Sequence, residues 1–275
     1  MLDSFGRKIR YLRISVTDRC NLRCVYCMPA EGVPVLPHER ILSYERIAEV
    51  AAAAAKLGFN KFRLTGGEPL VRKDLPSLVS LLAGIPERPI IAMTTNGTLL
   101  APVAHELKIR GLNSVNVSLD TLDPGRYRDL TRGGRLADAL EGIKAARAAG
   151  LPVKFNVVIA DGKSADRKSA DDKSEDDLKY IRIYADAVGA RVQTIAQYRL
   201  DETKEDGGEY DRPPPCASCD RLRLLADGTL RPCLHGSTGI PVDFDDVEGS
   251  LAAAVAAKPE CGLSCRELAV SGIGG

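Results

Sequence analysis

Residues 10–29 read RYLRISVTDRCNLRCVYCMP, and the rest of the chain is organised around this stretch. Its first half alternates, with Leu12, Ile14 and Val16 on one face and Arg13, Ser15 and Thr17 on the other, which is the period of a strand. Its second half sets Cys20, Cys24 and Cys27 in a C-x3-C-x2-C loop directly after that strand. Three cysteines this close do not form a disulfide framework, but they can wrap one inorganic cluster and leave one corner without a protein ligand. The nearest histidine is His38, outside the loop, so a four-ligand structural zinc fits poorly.

The same alternation recurs along the chain. Strands are expected at about 10–17, 60–65, 89–94, 114–119, 152–159 and 190–197, separated by helical stretches. The first helix is marked by Ser43 as N-cap, by Ile47, Val50, Ala51, Ala54 and Leu57 on one face, and by Gly58 just past its end. Repeated β-α units imply parallel strands with right-handed crossovers. In the second strand Lys61, Arg63 and Thr65 oppose Phe62 and Leu64; later strands set Asn116, Ser118 and Asp120, then Lys154 and Asn156, against Val, Leu and Phe. Helices must cover the apolar face, so the polar face turns inward to a wet, cationic lumen suited to an anion. The alternative is a sheet covered on one side with its polar face in solvent.

Eight cysteines fall into three groups: 20, 24 and 27; 216, 219 and 233; 261 and 265. The middle group, C-x2-C-x13-C, suits either a second three-thiolate cluster or, with Cys261 or Cys265, a four-thiolate zinc site; spacing leaves both open. Otherwise Cys261 and Cys265 read as a free or buried thiol pair. RLRLLA, Asp227-Gly228 and TLRPC predict a hairpin that returns Cys233 beside Cys219 and sets Arg221 and Arg223 on one strand face. Residues 161–177, DGKSADRKSADDKSEDD, carry a tandem repeat with almost nothing to bury and are expected to be a solvated loop. A helix then starts at Ser174 and buries Leu178, Ile181, Ala185 and Val188. A linker ending in Pro213, Pro214 and Pro215, a short Ala-rich helix near 250–258 and a tail SGIGG complete the chain, dividing it into 1–198 and 199–275.

With 44% apolar and 27% charged residues, the composition excludes disorder and fibrous classes. The net charge of +1 offers no general attraction for nucleic acid or a membrane surface. No long apolar window and no secretion signal are visible, so a cytoplasmic, reducing setting is expected, where clustered cysteines point to metal binding or catalysis.

The C-x3-C-x2-C loop with Tyr26 before its last cysteine, followed by Gly66-Gly67-Glu68-Pro69 after the second strand, resembles the radical S-adenosylmethionine (SAM) enzymes. GRKIRYLRISVTDRCNLRCVYCMP, FRLTGGEPLVRKDL, MTTNGTLL, VNVSLDTLD, CASCDRLRLLADGTLRPCL and the Gly-Gly terminus are together similar to the GTP 3',8-cyclase family of molybdenum cofactor biosynthesis. This resemblance implies an α/β fold, a partial (β/α)6 TIM-like barrel of the radical SAM type with a small C-terminal cluster-binding hairpin subdomain. It implies two [4Fe-4S] clusters and SAM as cofactors, GTP as substrate, and no nucleic-acid or membrane partner. Cys20, Cys24 and Cys27 would hold the first cluster, with Tyr26, Gly67, Glu68 and Ser118 positioning SAM. Cys216, Cys219 and Cys233 would hold the second, and Arg13, Lys61, Arg63, Thr94, Lys154, Arg221 and Arg223 would contact GTP. Arg221, Arg223, Gly274 and Gly275 would serve catalysis, the last two by the tail reaching into the site. The resemblance further implies a flavodoxin- or ferredoxin-type electron donor, cyclic pyranopterin monophosphate synthase as the downstream enzyme, and a homodimer as one arrangement. Residues 192–202, VQTIAQYRLDE, depart from the acidic-aromatic-methionine-proline run and preceding arginine of the family, with Arg191 or Arg199 as substitutes. A peptide maturase with an auxiliary cluster, or a shortened cluster-bearing relative, shares part of this pattern; the lumen cations suit a nucleotide better than a peptide.

Overall fold

The computed structural model describes residues 1–159, 171–197, 210–211 and 214–262. Strands β1 (Tyr11–Ser15), β2 (Lys61–Thr65), β3 (Ile90–Thr95), β4 (Ser114–Ser118), β5 (Val153–Ile159) and β6 (Arg191–Ala196) fall where the alternation places them. They alternate with α1 (Tyr44–Lys56), α2 (Leu75–Ala83), α3 (Ala104–Ile109), the pair α4 (Pro124–Thr131) and α5 (Leu136–Ala148), and α6 (Asp171–Val188). A hairpin, β7 (Arg221–Leu224) and β8 (Thr229–Arg231), then β9 (Ile240–Pro241) and α7 (Val247–Ala256), follow.

Among the described residues nine strands join one sheet in the order β6-β5-β4-β3-β2-β1-β7-β8-β9. Every pairing from β6 to β7 is parallel, which gives the partial (β/α)6 barrel; β8 and β9 close its edge antiparallel. The hairpin turns at Asp227-Gly228 as its sequence predicts, and β7 lies beside β1, extending the barrel sheet itself. Leu12, Ile14, Phe62, Leu64, Val115, Val117 and Phe155 are wholly buried against the helices. Full burial of each such side chain contributes about 1.5–3 kcal/mol, which fixes which face of every strand looks outward.

Ser43 caps α1 by accepting from the Arg46 backbone N–H, and Gly58 follows with φ +89°. Two expectations need correction. Helix α6 begins at Asp171, three residues before the expected cap Ser174, so the expected loop 161–177 is helical from 171 onward. Polarity alone does not unwind a helix whose end is anchored: Asp177 is buried, accepts from Thr121 Oγ1 and pairs with Arg126 Nε at 2.6 Å. The Ala-rich helix also starts earlier, at Val247, because Asp246 caps it through the Gly249 N–H. Ile181 and Ala185 are buried on α6 as expected, and Tyr184 adds a ring stacked 5.7 Å from Phe155. Among the described residues no helix is long and apolar enough to cross a membrane.

Candidate active site

A cavity runs along the inner face of the sheet, and strand direction sets which end of the strands each cysteine group occupies. Cys20, Cys24 and Cys27 follow the C-terminal end of β1. Cys216 and Cys219 precede β7, which runs parallel to β1, and Cys233 follows antiparallel β8. The two cysteine groups therefore occupy opposite ends of the strands.

At the first end the cysteine loop is held from several sides. Val25 N–H donates to the Leu130 carbonyl, Arg23 N–H to the Thr131 carbonyl, and Arg132 Nη1 to the Arg23 and Met28 carbonyls at 3.0 and 2.7 Å. Leu22 N–H points at Cys20 Sγ, 3.4 Å away. The two glycines of Gly66-Gly67-Glu68-Pro69 lie on this loop: a Cβ on Gly66 would stand 2.4 Å from the Thr17 carbonyl oxygen and one on Gly67 2.3 Å from that of Arg19. Close backbone approach, more than the tight turn alone, requires glycine there. Glu68 is buried and accepts from Thr95 Oγ1 and the Asn96 and Leu70 N–H groups; burial pushes its carboxyl up to about 7. Tyr26 donates to Asp120 at 2.6 Å; burial raises Asp120 to about 6 although Tyr26 and the Val158 N–H both bond it. Burial, reinforced by the neighbouring Asp120 and Cys20, pushes the Cys24 thiol up to about 12, and burial with Cys24 and Cys20 pushes Cys27 well above its ordinary value. Thiols crowded so closely ionise together only when a cation compensates them, as the donor set of an iron-sulfur cluster does.

The middle of the cavity carries the cations in two tiers set by register. Tyr11 faces Lys61 and Arg221 across β1, β2 and β7, and one step on Arg13 faces Arg63 and Arg223. Arg63 is buried; it donates through Nε to Tyr11 Oη at 2.5 Å and through Nη1 to Thr94 Oγ1 and the Met93 carbonyl at 3.2 Å. Lys61 and Arg221 stand over the Tyr11 ring at 5.2 and 5.6 Å. Burial raises the Tyr11 hydroxyl, but Arg63, Arg13 and Lys61 outweigh it and leave the hydroxyl below its usual range. Lys154 enters from β5 opposite Asn116, and Ser118 ends β4 on the same wall. Among the described residues the buried Thr65 Oγ1 and the Arg221 Nε line this cavity with no hydrogen-bond partner in the protein, donors of the kind a polar anion satisfies.

At the second end the bracing comes from Arg7 and Lys258. Arg7, paired with Asp3 at 2.6 Å, donates to the carbonyls of Cys216, Pro259 and Glu260. Lys258, only 4% exposed, donates to the Arg221 and Pro232 carbonyls and stands 3.9 Å from Cys219 Sγ; burial lowers its pKa. Among the described residues no three His, Cys, Asp or Glu side chains form a preformed single-ion cage. Zinc would draw each sulfur to about 2.3 Å from one point; a cluster spreads its cysteines over separate irons.

The expected residues Arg13, Lys61, Arg63, Thr94, Lys154, Arg221 and Arg223 all line the one cavity, as do Tyr26, Gly67, Glu68 and Ser118. The inward-facing polar strand faces thus replace the exposed-face alternative. Gly274, Gly275, Cys265 and Arg199 lie outside the described residues. Arg191 is exposed and does not line the cavity; Gln193 and Gln197 do. Sequence reading passed over Tyr11, though it shares the Arg13 face at a spacing of two, and passed over Arg7 and Lys258, whose importance comes only from long-range packing.

The family model of the radical SAM superfamily matches residues 14–172. A GTP 3',8-cyclase of Peptoclostridium acidaminophilum is 40% identical, the match covering 87% of this chain and 85% of that protein. One from Moorella thermoacetica is 43% identical over 92% of this chain and 88% of its own. Among solved structures, Streptococcus suis SuiB bound to the precursor peptide SuiA superposes with a TM-score of 0.69 at 15% identity, covering 93% of this chain and 66% of that one. Methylornithine synthase superposes at 0.55 and 16% identity over 96% and 78%. At such identities these two structures speak for the fold alone.

Proposed function

The chain belongs to the radical SAM superfamily and, within it, to the GTP 3',8-cyclase family, and from that premise we propose that it converts GTP to 3',8-cyclo-GTP in molybdenum cofactor biosynthesis. The observation that carries the reading is the double tier of cations in a cavity that Cys20, Cys24 and Cys27 line, with the second cysteine group at the opposite ends of the strands.

Cys20, Cys24 and Cys27 would hold the first [4Fe-4S] cluster, and Cys216, Cys219 and Cys233 the second. With SAM bound, the first cluster would supply the radical chemistry that removes a hydrogen from ribose C3' and lets this carbon bond guanine C8. The protein's own contribution is placement and charge. Gly66 and Gly67 let the strand-two turn approach the cysteine loop, and Glu68 fixes the end of β3 against it. Arg13, Lys61, Arg63, Lys154, Arg221 and Arg223 offset a triphosphate, the arginines by planar bidentate contacts that lysine cannot make. Arg63 arrives pre-oriented by Tyr11 and Thr94, so less side-chain freedom is lost when the anion binds. Apolar walls from Leu22, Val158 and Ile195 limit water near the reacting sugar.

The Gly274-Gly275 tail completes the site in this reading, a flavodoxin- or ferredoxin-type protein delivers the electron, and cyclic pyranopterin monophosphate synthase takes the product. The peptide ligand of SuiB belongs to that protein; the arginine tiers here favour a nucleotide.

Anaerobic incubation with GTP, SAM and reductant tests the proposal. Formation of 5'-deoxyadenosine together with loss of GTP and appearance of 3',8-cyclo-GTP, in protein holding about eight irons per chain, is the expected result. 5'-Deoxyadenosine formed while GTP stays intact would transfer the chain to another substrate.

A further inference from the structure

The second cysteine site contains a thiol for which the proposed reaction has no use. Cys261 is exposed, and its Sγ lies 3.5 Å from Sγ of the buried Cys216, 45 residues away. The backbone on both sides of this contact is fixed. Arg7 ties the Cys216 carbonyl to those of Pro259 and Glu260, and the Gly262 N–H donates to Cys216 Sγ at 3.4 Å. Lys258 pins the start of the same segment to β7 and to Pro232. A disulfide requires a separation of about 2.05 Å, so the two sulfurs must close by roughly 1.5 Å, a movement within side-chain rotation.

We propose that Cys216 and Cys261 are a peroxide-responsive pair whose disulfide withdraws Cys216 from the second metal site. Exposed Cys261 meets the oxidant first: its sulfur attacks hydrogen peroxide, takes one oxygen as sulfenic acid and releases one water. The Cys216 sulfur then attacks the Cys261 sulfur, the S–S bond forms, and the hydroxyl leaves with a proton as a second water. Two thiols lose two electrons and two protons, and one peroxide becomes two waters. Cys219 is disposed differently, toward the Lys258 ammonium, and does not share this contact. The disulfide stores a cysteine that peroxide would otherwise drive to irreversible sulfinic acid, and a thiol reductant returns it. The disulfide stands on the geometry alone; its consequence for iron rests on the reading of Cys216 as a cluster ligand.

The test uses the full chain loaded with iron anaerobically, then treated with excess hydrogen peroxide, alkylated and mapped by tandem mass spectrometry with two proteases. The expected result is a dominant Cys216–Cys261 linkage, reversed by dithiothreitol, with about four irons per chain reloading only after that reduction. Cys261→Ser is expected to abolish the linkage, to reload iron without dithiothreitol after mild exposure, and to accumulate sulfinic Cys216 at higher peroxide. No linkage, or linkages spread evenly over Cys219, Cys233 and Cys265, would overturn the proposal. Should the disulfide form while Cys216→Ala keeps its full iron content, the ligand reading fails and the iron consequence with it.

Discussion

Gly67→Ala probes the join between the strand-two turn and the cysteine loop. The new Cβ would stand 2.3 Å from the Arg19 carbonyl oxygen and 2.5 Å from its carbon, where ordinary contact begins at 3.4 Å. The neighbour is backbone, so no side chain can swing aside; turn and loop must separate by about 1.1 Å, the difference between those two distances. That movement breaks the bonds from Gly67 N–H to the Thr17 carbonyl at 2.9 Å and from Glu68 N–H to the Arg19 carbonyl at 2.8 Å. Overpacking of about 1–3 kcal/mol and two bonds of about 0.5–1.5 kcal/mol each give a destabilisation of about 2–6 kcal/mol. For a chain of this size that is a fall in melting temperature of roughly 5–20 °C, read by circular dichroism. Iron assay adds the local readout: the variant is expected to lose iron at the first site and keep the second set. Gly84→Ala is the control, since its Cβ would meet nothing closer than 3.5 Å with φ at −75°, and it is expected to be neutral or slightly stabilising. A Gly67→Ala protein melting within about 2 °C of the parent with all its iron would refute the close-approach argument.

Arg221→Ala with Arg223→Ala is expected to weaken GTP binding by about 1.5–3 kcal/mol per arginine, tenfold or more each, with iron content unchanged; anaerobic calorimetry and iron assay check both halves, and unaltered affinity contradicts the role. Asp120 gives a pH prediction. Its folded value of about 6 lies above the ordinary 3.8, because burial disfavours the charged form, so the folded chain holds that proton more tightly than the unfolded one. The contribution to stability is therefore complete below about pH 4 and is lost as pH rises through 6, and Glu68 adds a loss of the same sign up to about 7. Asp120→Asn is expected to flatten the decline in urea midpoint between pH 4 and 7; an unchanged slope would assign that decline elsewhere.

The parallel strands were legible because a pleated strand writes its two faces directly into consecutive residues. Arg13 with Ser15, Lys61 with Arg63 and Lys154 with Asn156 marked one polar face on each strand, and the packing of the helices on the other face turned it inward. The start of α6 was misread for the opposite reason: the repeat at 161–177 has no apolar stripe, and the anchoring of Asp177 by Thr121 and Arg126 comes from another β-α unit. Tyr11 shared the Arg13 face, but one aromatic in a strand says nothing of the three cations its ring and hydroxyl meet.

The sequence by itself determined the β-α alternation, the two-faced strands, the hairpin turn and the division of the cysteines, since each depends on neighbours within a few residues. The tertiary structure alone decided that β7 pairs with β1, which sets Arg221 and Arg223 level with Lys61 and Arg63, and that Arg7 and Lys258 brace the second site. It also decided that Cys261 rests on Cys216. Contacts between residues 45 to more than 200 positions apart are set by the packing of whole elements, and packing leaves no period in the chain for a sequence to display.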